Sequence, residues 1–235
     1  MVPSRSWWPV AVLLVGMLRL PASAQTLQFL PEIDIFANLA PSAQFWFQAK
    51  DTREDGAPTQ AEIGPSLDFY VKPLVKLKTV AGFNLDESKQ RLLVFSVGYR
   101  YLPSPGNPSV NRLLLMATAN LPFKGGMLVS DRNRLEVNHT NGNPSWRYRN
   151  RLTLQRTVGV DSYHLSPYAS AEFYYNSQYD KWSTTSIDAG CIFPLGRKTE
   201  INPYYEHQNN TGPSPNQQVN AFGLILNIYL WRERR

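Results

Sequence analysis

Stretches of about ten residues in which apolar and polar side chains alternate recur along this chain, and period-two alternation marks a β-strand with two different faces. The last stretch is the clearest: Phe222, Leu224, Leu226, Ile228 and Leu230 share one face, and Gly223 and Asn227 lie on the other. The same pattern sets Leu165, Ala169, Ala171 and Phe173 against His164, Ser166, Ser170 and Glu172, and sets Tyr148, Leu152 and Leu154 against Arg147, Arg149, Arg151 and Thr153. Earlier, Leu135 and Val137 oppose Arg132, Arg134 and Glu136, while Phe95, Val97 and Tyr99 oppose Ser96, Gly98 and Arg100. Ten strands can be placed, at about 42–51, 62–72, 90–101, 109–120, 127–138, 145–157, 162–175, 182–193, 198–208 and 218–231. A leading segment, 32–39, adds an eleventh or pairs with a twelfth.

Neither a helical period nor a low-complexity linker interrupts residues 25–235, so they are expected to form one all-β domain. The connections near 102–109, 139–145, 176–182 and 208–218 are polar and rich in Pro, Gly, Asn and Ser, whereas those near 158–162 and 194–198 are tight. Long loops on one side and short turns on the other are expected of bacterial outer-membrane barrels. Residues 73–89, with Lys76 and Lys78, depart from that pattern and read as an interfacial segment or an extra strand pair. Aromatic residues gather near strand ends, as Tyr99 and Tyr101, Trp146 and Tyr148, Tyr174, Tyr175, Tyr179 and Trp182, and Tyr229 and Trp231. Rings with a polar tip suit a membrane interface. Strands cross a bilayer only when every edge N–H and C=O is paired, which requires closure. The expected fold is therefore an antiparallel up-and-down transmembrane β-barrel of about ten strands, with twelve as the alternative, and a lumen filled by polar side chains.

The N-terminal residues supply an address. Arg5 precedes an apolar run from Val10 to Leu18, and Ala22-Ser23-Ala24 then offers a cleavage site, so residues 1–24 read as a signal peptide. That run is far shorter than the ~20 residues of a membrane-spanning helix. Cleavage would remove Arg5 and Arg19 and no acid, leaving 22 basic against 18 acidic residues. So mild a surplus, interleaved with acids on an exported chain, argues against nucleic-acid binding. The single cysteine, Cys191, is neither at the cleavage site nor able to form an intramolecular disulfide. The expected destination is the outer membrane of a Gram-negative cell, with membrane lipid and the barrel-insertion machinery as partners.

Collecting the polar faces gives a charged interior. Arg100, Arg112, Arg132, Arg134, Arg147, Arg149 and Arg151 stand against Asp68, Glu136, Glu172, Asp188, Glu200 and Glu206. In a narrow barrel such charges meet, and buried charges persist when paired and hydrogen-bonded. The interior thus reads as a cross-linked polar core or at most a narrow pathway; an arginine ladder selecting anions is the other reading. Arg147, Arg149 and Arg151 are expected to pair with Glu136 and Glu172 on neighbouring strands, and with Glu200 and Glu206 farther round.

Two resemblances add to this. The segments Asp131-Arg132-Asn133-Arg134-Leu135-Glu136, Trp146-Arg147-Tyr148-Arg149-Asn150-Arg151-Leu152, Pro167-Tyr168 leading to Glu172-Phe173, and Pro203-Tyr204-Tyr205-Glu206 resemble a bacterial family catalogued as a domain of unknown function, DUF2490. The resemblance implies an outer-membrane barrel and brings no activity, substrate or catalytic residue. Separately, His139-Thr140-Asn141-Gly142 with Trp146 and Asn150 resembles the His-x-Ser-Asn-Gly segment of the outer-membrane phospholipases, and His207-Gln208-Asn209-Asn210 is a related string. That family places a serine two residues after the histidine, on the same strand face, where the imidazole can take its proton. Here those positions hold Asn141 and Asn209, and an amide cannot be that nucleophile. The three histidines are too scattered to specify a metal site, no phosphate-cradling glycine loop is present, and no cofactor is expected. The sequence favours a non-enzymatic barrel with a structural, interaction or narrow-channel role. The alternative is a lipid hydrolase, of phospholipase or lipid A deacylase type, using His139 and Thr140.

Overall fold

A computed structural model describes residues 25–71, 85–160, 163–212 and 217–230. The signal-peptide reading of residues 1–24, and Lys76, Lys78 and Trp231, lie outside the described residues. The strands are β1 (Gln25–Ala40), β2 (Ala43–Glu54), β3 (Ala57–Tyr70), β4 (Leu93–Ser104), β5 (Asn107–Phe123), β6 (Met127–Thr140), β7 (Asn143–Arg156), β8 (Val158–Val160), β9 (Tyr163–Asn176), β10 (Lys181–Pro194), β11 (Thr199–Asn210) and β12 (Gln217–Tyr229). A one-turn 3-10 helix, Glu87–Gln90, precedes β4.

Eleven of these strands close a ring in the order β1 to β7 and then β9 to β12, while the three-residue β8 only extends the pairing along the start of β9. The leading segment is therefore an eleventh strand and not one of a further pair. Consecutive neighbours run antiparallel, but an odd number leaves the first and last strands pointing the same way, and β1 and β12 pair in parallel from Gln25↔Gln218 to Phe36↔Tyr229. The up-and-down antiparallel expectation thus fails at one pairing, the seam.

The expected contrast between long and short loops is also corrected. Strands run on through most of the Pro-, Gly- and Asn-rich stretches to tight turns at residues 55–56, 105–106, 141–142 and 177–180. Asp55-Gly56 and Asn141-Gly142 both hold positive φ, at 49° and 83° in each pair. Successive left-handed residues match the twist of the flanking strands, which is why Asp-Gly and Asn-Gly close hairpins so short. We call this end the hairpin rim.

The opposite end is the capped rim. Here residues 85–91 fold into the mouth, while the rest of the segment read as interfacial or as a strand pair, 73–84, lies outside the described residues. The Leu85 amide donates to Glu200 Oε1 on β11 at 3.0 Å, Lys89 Nζ donates to Gln155 Oε1 on β7 at 2.9 Å, and Asn120 Nδ2 on β5 donates to the carbonyls of Ser88 and Arg91 at 3.1 and 2.9 Å. Arg91 lies over the Tyr70 ring, 5.0 Å from its centroid, and donates to the Pro41 carbonyl at 3.1 Å. Partners on β3, β5, β7 and β11 tie the segment to distant parts of the ring.

Alternation sorts every strand. On β4, Val94, Ser96, Arg100 and Leu102 are buried toward the interior, while Phe95, Tyr99 and Tyr101 are exposed outside. Two aromatics expected at strand-end positions of an outer belt point inward: Tyr174 is buried beneath arginines, and Tyr229 stacks on Phe36 with centroids 4.9 Å apart. A glycine makes room for a third inward ring, because a Cβ at Gly223 would come within 2.0 Å of the Tyr204 ring.

Candidate functional site in the barrel lumen

The site grows from the R-x-R strands. On β6 and β7 every second residue faces inward, so Arg132, Arg134 and Glu136 lie beside Arg151, Arg149 and Arg147, registered as Arg132↔Arg151, Arg134↔Arg149 and Glu136↔Arg147. Like charges directly opposite are destabilising in a sheet. Carboxylates set among them offset the repulsion. Glu136 is fully buried and is reached by Arg147 Nη2 at 2.6 Å, Arg134 Nε at 2.8 Å, Arg149 Nη1 at 3.0 Å and Arg112 Nε at 3.6 Å. Glu172, on β9, is reached by Arg151 at 2.6 Å, Arg149 at 2.9 Å and Arg132 at 3.4 Å, and also accepts from Tyr174 Oη at 3.1 Å.

Arg149 joins the two acids and lies 4.3 Å from the Tyr174 ring centroid. Its guanidinium supplies donors in a fixed planar fork, so one side chain can serve two carboxylates and stack at once. The network continues through Arg151 to Asp188 at 3.9 Å on β10. In the other direction Glu62, on β3, meets Arg112 at 3.2 Å, Arg134 at 3.4 Å and Arg100 at 3.8 Å. Arg100 is fully buried, 4.6 Å from the Trp46 ring centroid, and donates to Gln48 Oε1 at 2.9 Å.

Ten residues read from the sequence are thereby brought into one network: Arg100, Arg112, Arg132, Arg134, Arg147, Arg149, Arg151, Glu136, Glu172 and Asp188. Glu200 and Glu206 do not pair with the arginines, which corrects the expectation for them. Glu206 accepts from Ser186 Oγ at 2.7 Å, and Glu200 accepts from Tyr229 Oη at 3.0 Å and from the Leu85 amide at 3.0 Å. Both sit on β11, beyond β9 and β10 from the arginine strands, where nearer polar groups take their oxygens. Sequence reasoning missed Glu62, Glu32, Asp34 and Lys50. Glu62 lies within the strand expected at 62–72 and shares its face with Ser66 and Asp68, so the same alternation followed back from Asp68 through Ser66 and Gly64 reaches it. Glu32 and Asp34 are two residues apart on the inner face of β1, next to Lys50 on β2, with Lys50 Nζ 3.9 Å from Glu32.

The network does not fill the interior. A cavity of about 720 Å³ remains, bounded by Asp86, Ser88 and Lys89 at the capped rim and by Gln28, Gln60 and Asn210 toward the hairpin rim. Its lining is mostly polar, and Arg132, Arg134, Arg147, Arg149 and Arg151 form one side while Glu136 and Glu172 are covered behind them.

The residues expected to face lipid, Phe222, Leu224, Leu226, Ile228 and Leu230, point away from the lumen, with Phe222 and Leu230 about half exposed. His139 and Thr140 are consecutive on β6 and so project from opposite faces, with His139 exposed outside. His207 stands on β11, three strands round from β6's neighbour β7, and its Nδ1 lies 2.8 Å from Asn220 Oδ1. Nothing in this arrangement sets a hydroxyl beside an imidazole at the expected positions.

Fold and lumen together define a closed β-barrel with a charged, side-chain-lined interior. The chain belongs to the family described as Protein of unknown function (DUF2490), whose model matches residues 39–219. No curated protein matches the chain. The matched region contains the whole arginine network, from Glu62 on β3 to Asp188 on β10.

Proposed function

We propose that the protein is exported, loses its signal peptide, and works without catalysis as an outer-membrane barrel offering a narrow polar pathway restricted at one rim. The observation that carries the pathway is the polar cavity that persists beside the arginine network and runs from the capping segment toward the hairpin rim. A wholly cross-linked core would leave no such space, and an open pore would not have residues 85–91 bonded to β5, β7 and β11 across its mouth.

The membrane setting is supported by the outer face. Ring strands of 12 to 17 residues exceed the ~9–11 needed to cross a bilayer at a tilt. Phe29, Phe95, Leu113, Leu152, Ile187 and Phe222 are among the large apolar side chains exposed outside, more greasy surface than a water-facing barrel tolerates. Near the hairpin rim Trp146, Tyr148, Tyr175 and Trp182 form one outward cluster, with centroids 5.4 to 6.2 Å apart, as suits an interfacial girdle.

Planar-bilayer recording tests the reading. The wild type should give a small current, and deletion of residues 85–90 should raise it severalfold. A large steady current from the intact protein, or refusal to insert, would overturn the proposal.

A further inference from the structure

The two sides of the cavity carry opposite charge, and the ring makes them opposite walls. Counting round the barrel, β1 is five steps from β6 in one direction and five from β7 in the other. The β6–β7 wall presents Arg132, Arg134, Arg147, Arg149 and Arg151. Facing it, β1 presents Glu32 and Asp34, with Glu206 nearby on β11 and Lys50 as the cation beside them, while Asp188 on β10 stands between the walls and meets Arg151. Charges of opposite sign on facing walls of a low-dielectric cleft create a field across it and not along it.

Unmet hydrogen-bonding capacity divides in the same way. On the acidic side, Asp34 is only 8% exposed and Asn202 7%, both line the cavity, and the Oδ1 atom of each has no hydrogen-bond partner. These are acceptors. On the basic side the groups without a hydrogen-bond partner are donors, Arg132 Nε and Arg134 Nε, although Arg132 Nη2 reaches Glu172 and Arg134 Nε lies in ion-pair contact with Glu136. Buried polar groups are almost always satisfied, so buried orphans beside a cavity point to something that enters it. Acceptors on one wall and a guanidinium donor on the other suit an elongated solute with a cation at one end and an anion at the other. The volume of about 720 Å³ lies within the range of small-molecule sites.

We propose that the lumen binds small zwitterions carrying an ammonium and a carboxylate, of the amino-acid or short-peptide class, laid across the barrel with the ammonium at Glu32 and Asp34 and the carboxylate at Arg132 and Arg151. This deepens the narrow-pathway reading and rests on it. A simple anion is a poorer ligand, because Glu136, Glu172 and Glu62 already neutralise much of the arginine wall and the acids opposite would repel it.

Calorimetric titration of the full chain in lipid nanodiscs with triglycine, N-acetyl-triglycine and triglycinamide tests it. Each blocked peptide loses one charged end, so triglycine should bind about tenfold or more tightly than either, the worth of one charge-assisted contact. Asp34→Asn should erase the preference over the acetylated peptide while keeping that over the amide, and Arg132→Gln should do the converse. Should Asp34→Asn fail to fold, Glu206→Gln, on the same wall, carries a reduced form of the same expectation. Equal binding of all three peptides, or no saturable binding by a folded, bilayer-inserted barrel, overturns the inference and leaves the barrel reading standing. A barrel that binds triglycine in detergent yet refuses bilayers does the reverse.

Discussion

The β6–β7 hairpin and the β1–β12 seam meet the same demand, pairing two strands with one wet and one outer face, in opposite ways. In the hairpin, inward arginines and Glu136 sit on adjacent strands, and Glu172 is one strand further, so charge is neutralised within neighbouring strands. Its outer face is partly polar as well: Asn150 Nδ2 donates to Asp131 Oδ1 at 2.7 Å and to Asn133 Oδ1 at 3.1 Å, and Tyr148 donates to the same Asn133 oxygen. The seam has an apolar outer face, with Phe29↔Phe222, Ile33↔Leu226 and Ile35↔Ile228 in register. Inside it, β12 contributes Val219, Ala221, Gly223, Ile225 and Asn227, none of them charged, so Glu32 and Asp34 find no ion-pair partner across the seam. The difference teaches that local pairing consumes charge, whereas a seam closed by apolar contacts leaves it available to the cavity.

The largest effect should come from the hairpin. Arg149→Ala removes the link between Glu136 and Glu172, and uncoupling a buried ion pair costs about 3–5 kcal/mol. Denaturant unfolding of the barrel in lipid measures it, and a loss below about 1 kcal/mol would mean that water already screens these groups. Next, Leu224→Arg, at the centre of β12 on the apolar outer face of the seam, should cost about 2–4 kcal/mol in a bilayer, and Asn227→Arg, turned to the lumen, much less. Equal costs at the two sites would show that the outer face does not meet lipid. A smaller effect is expected inside the seam, where Gly223→Ala drives a methyl into the Tyr204 ring and should cost about 1–3 kcal/mol. Adding Tyr204→Ala should then recover part of that loss; additive losses in the double variant would place the strain elsewhere.

Much of the barrel was legible because period-two alternation survives any context that gives a strand two unlike faces. The strand expected at 127–138 is Met127–Thr140, and that at 182–193 is Lys181–Pro194. That the sheet closes was legible, but the parallel pairing by which it closes was not. Within β1, Pro31 and the inward Leu30 and Phe36 blur the contrast between faces, so only 32–39 was recognised, and with half a strand unseen an eleventh strand could not be told from one of a further pair, nor the parallel seam deduced. Loop lengths misled for a different reason: Asn, Gly and Pro mark where a chain turns, not how many residues the turn consumes. In the lumen, adjacency gave Arg147, Arg149 and Arg151 their partners, since neighbouring strands in sequence are neighbours in the ring. It offered no guide for Glu200 and Glu206, expected farther round, whose oxygens are taken by Ser186, Tyr229 and the Leu85 amide.

The parallel seam also bears on the order in which the molecule is made. Gln25 pairs with Gln218, so the first strand to emerge must wait for the last before its outer edge is satisfied. Hairpins from β2 onward can zip as they appear, each joining to its predecessor over a turn of a few residues, but closing a loop that spans nearly the whole chain is a slow, non-local step. Throughout that interval the nascent sheet keeps two open flanks, each able to recruit a foreign strand. The pairing that completes the molecule is thus also its longest-range one, and the β1 edge stays uncovered until β12 is made.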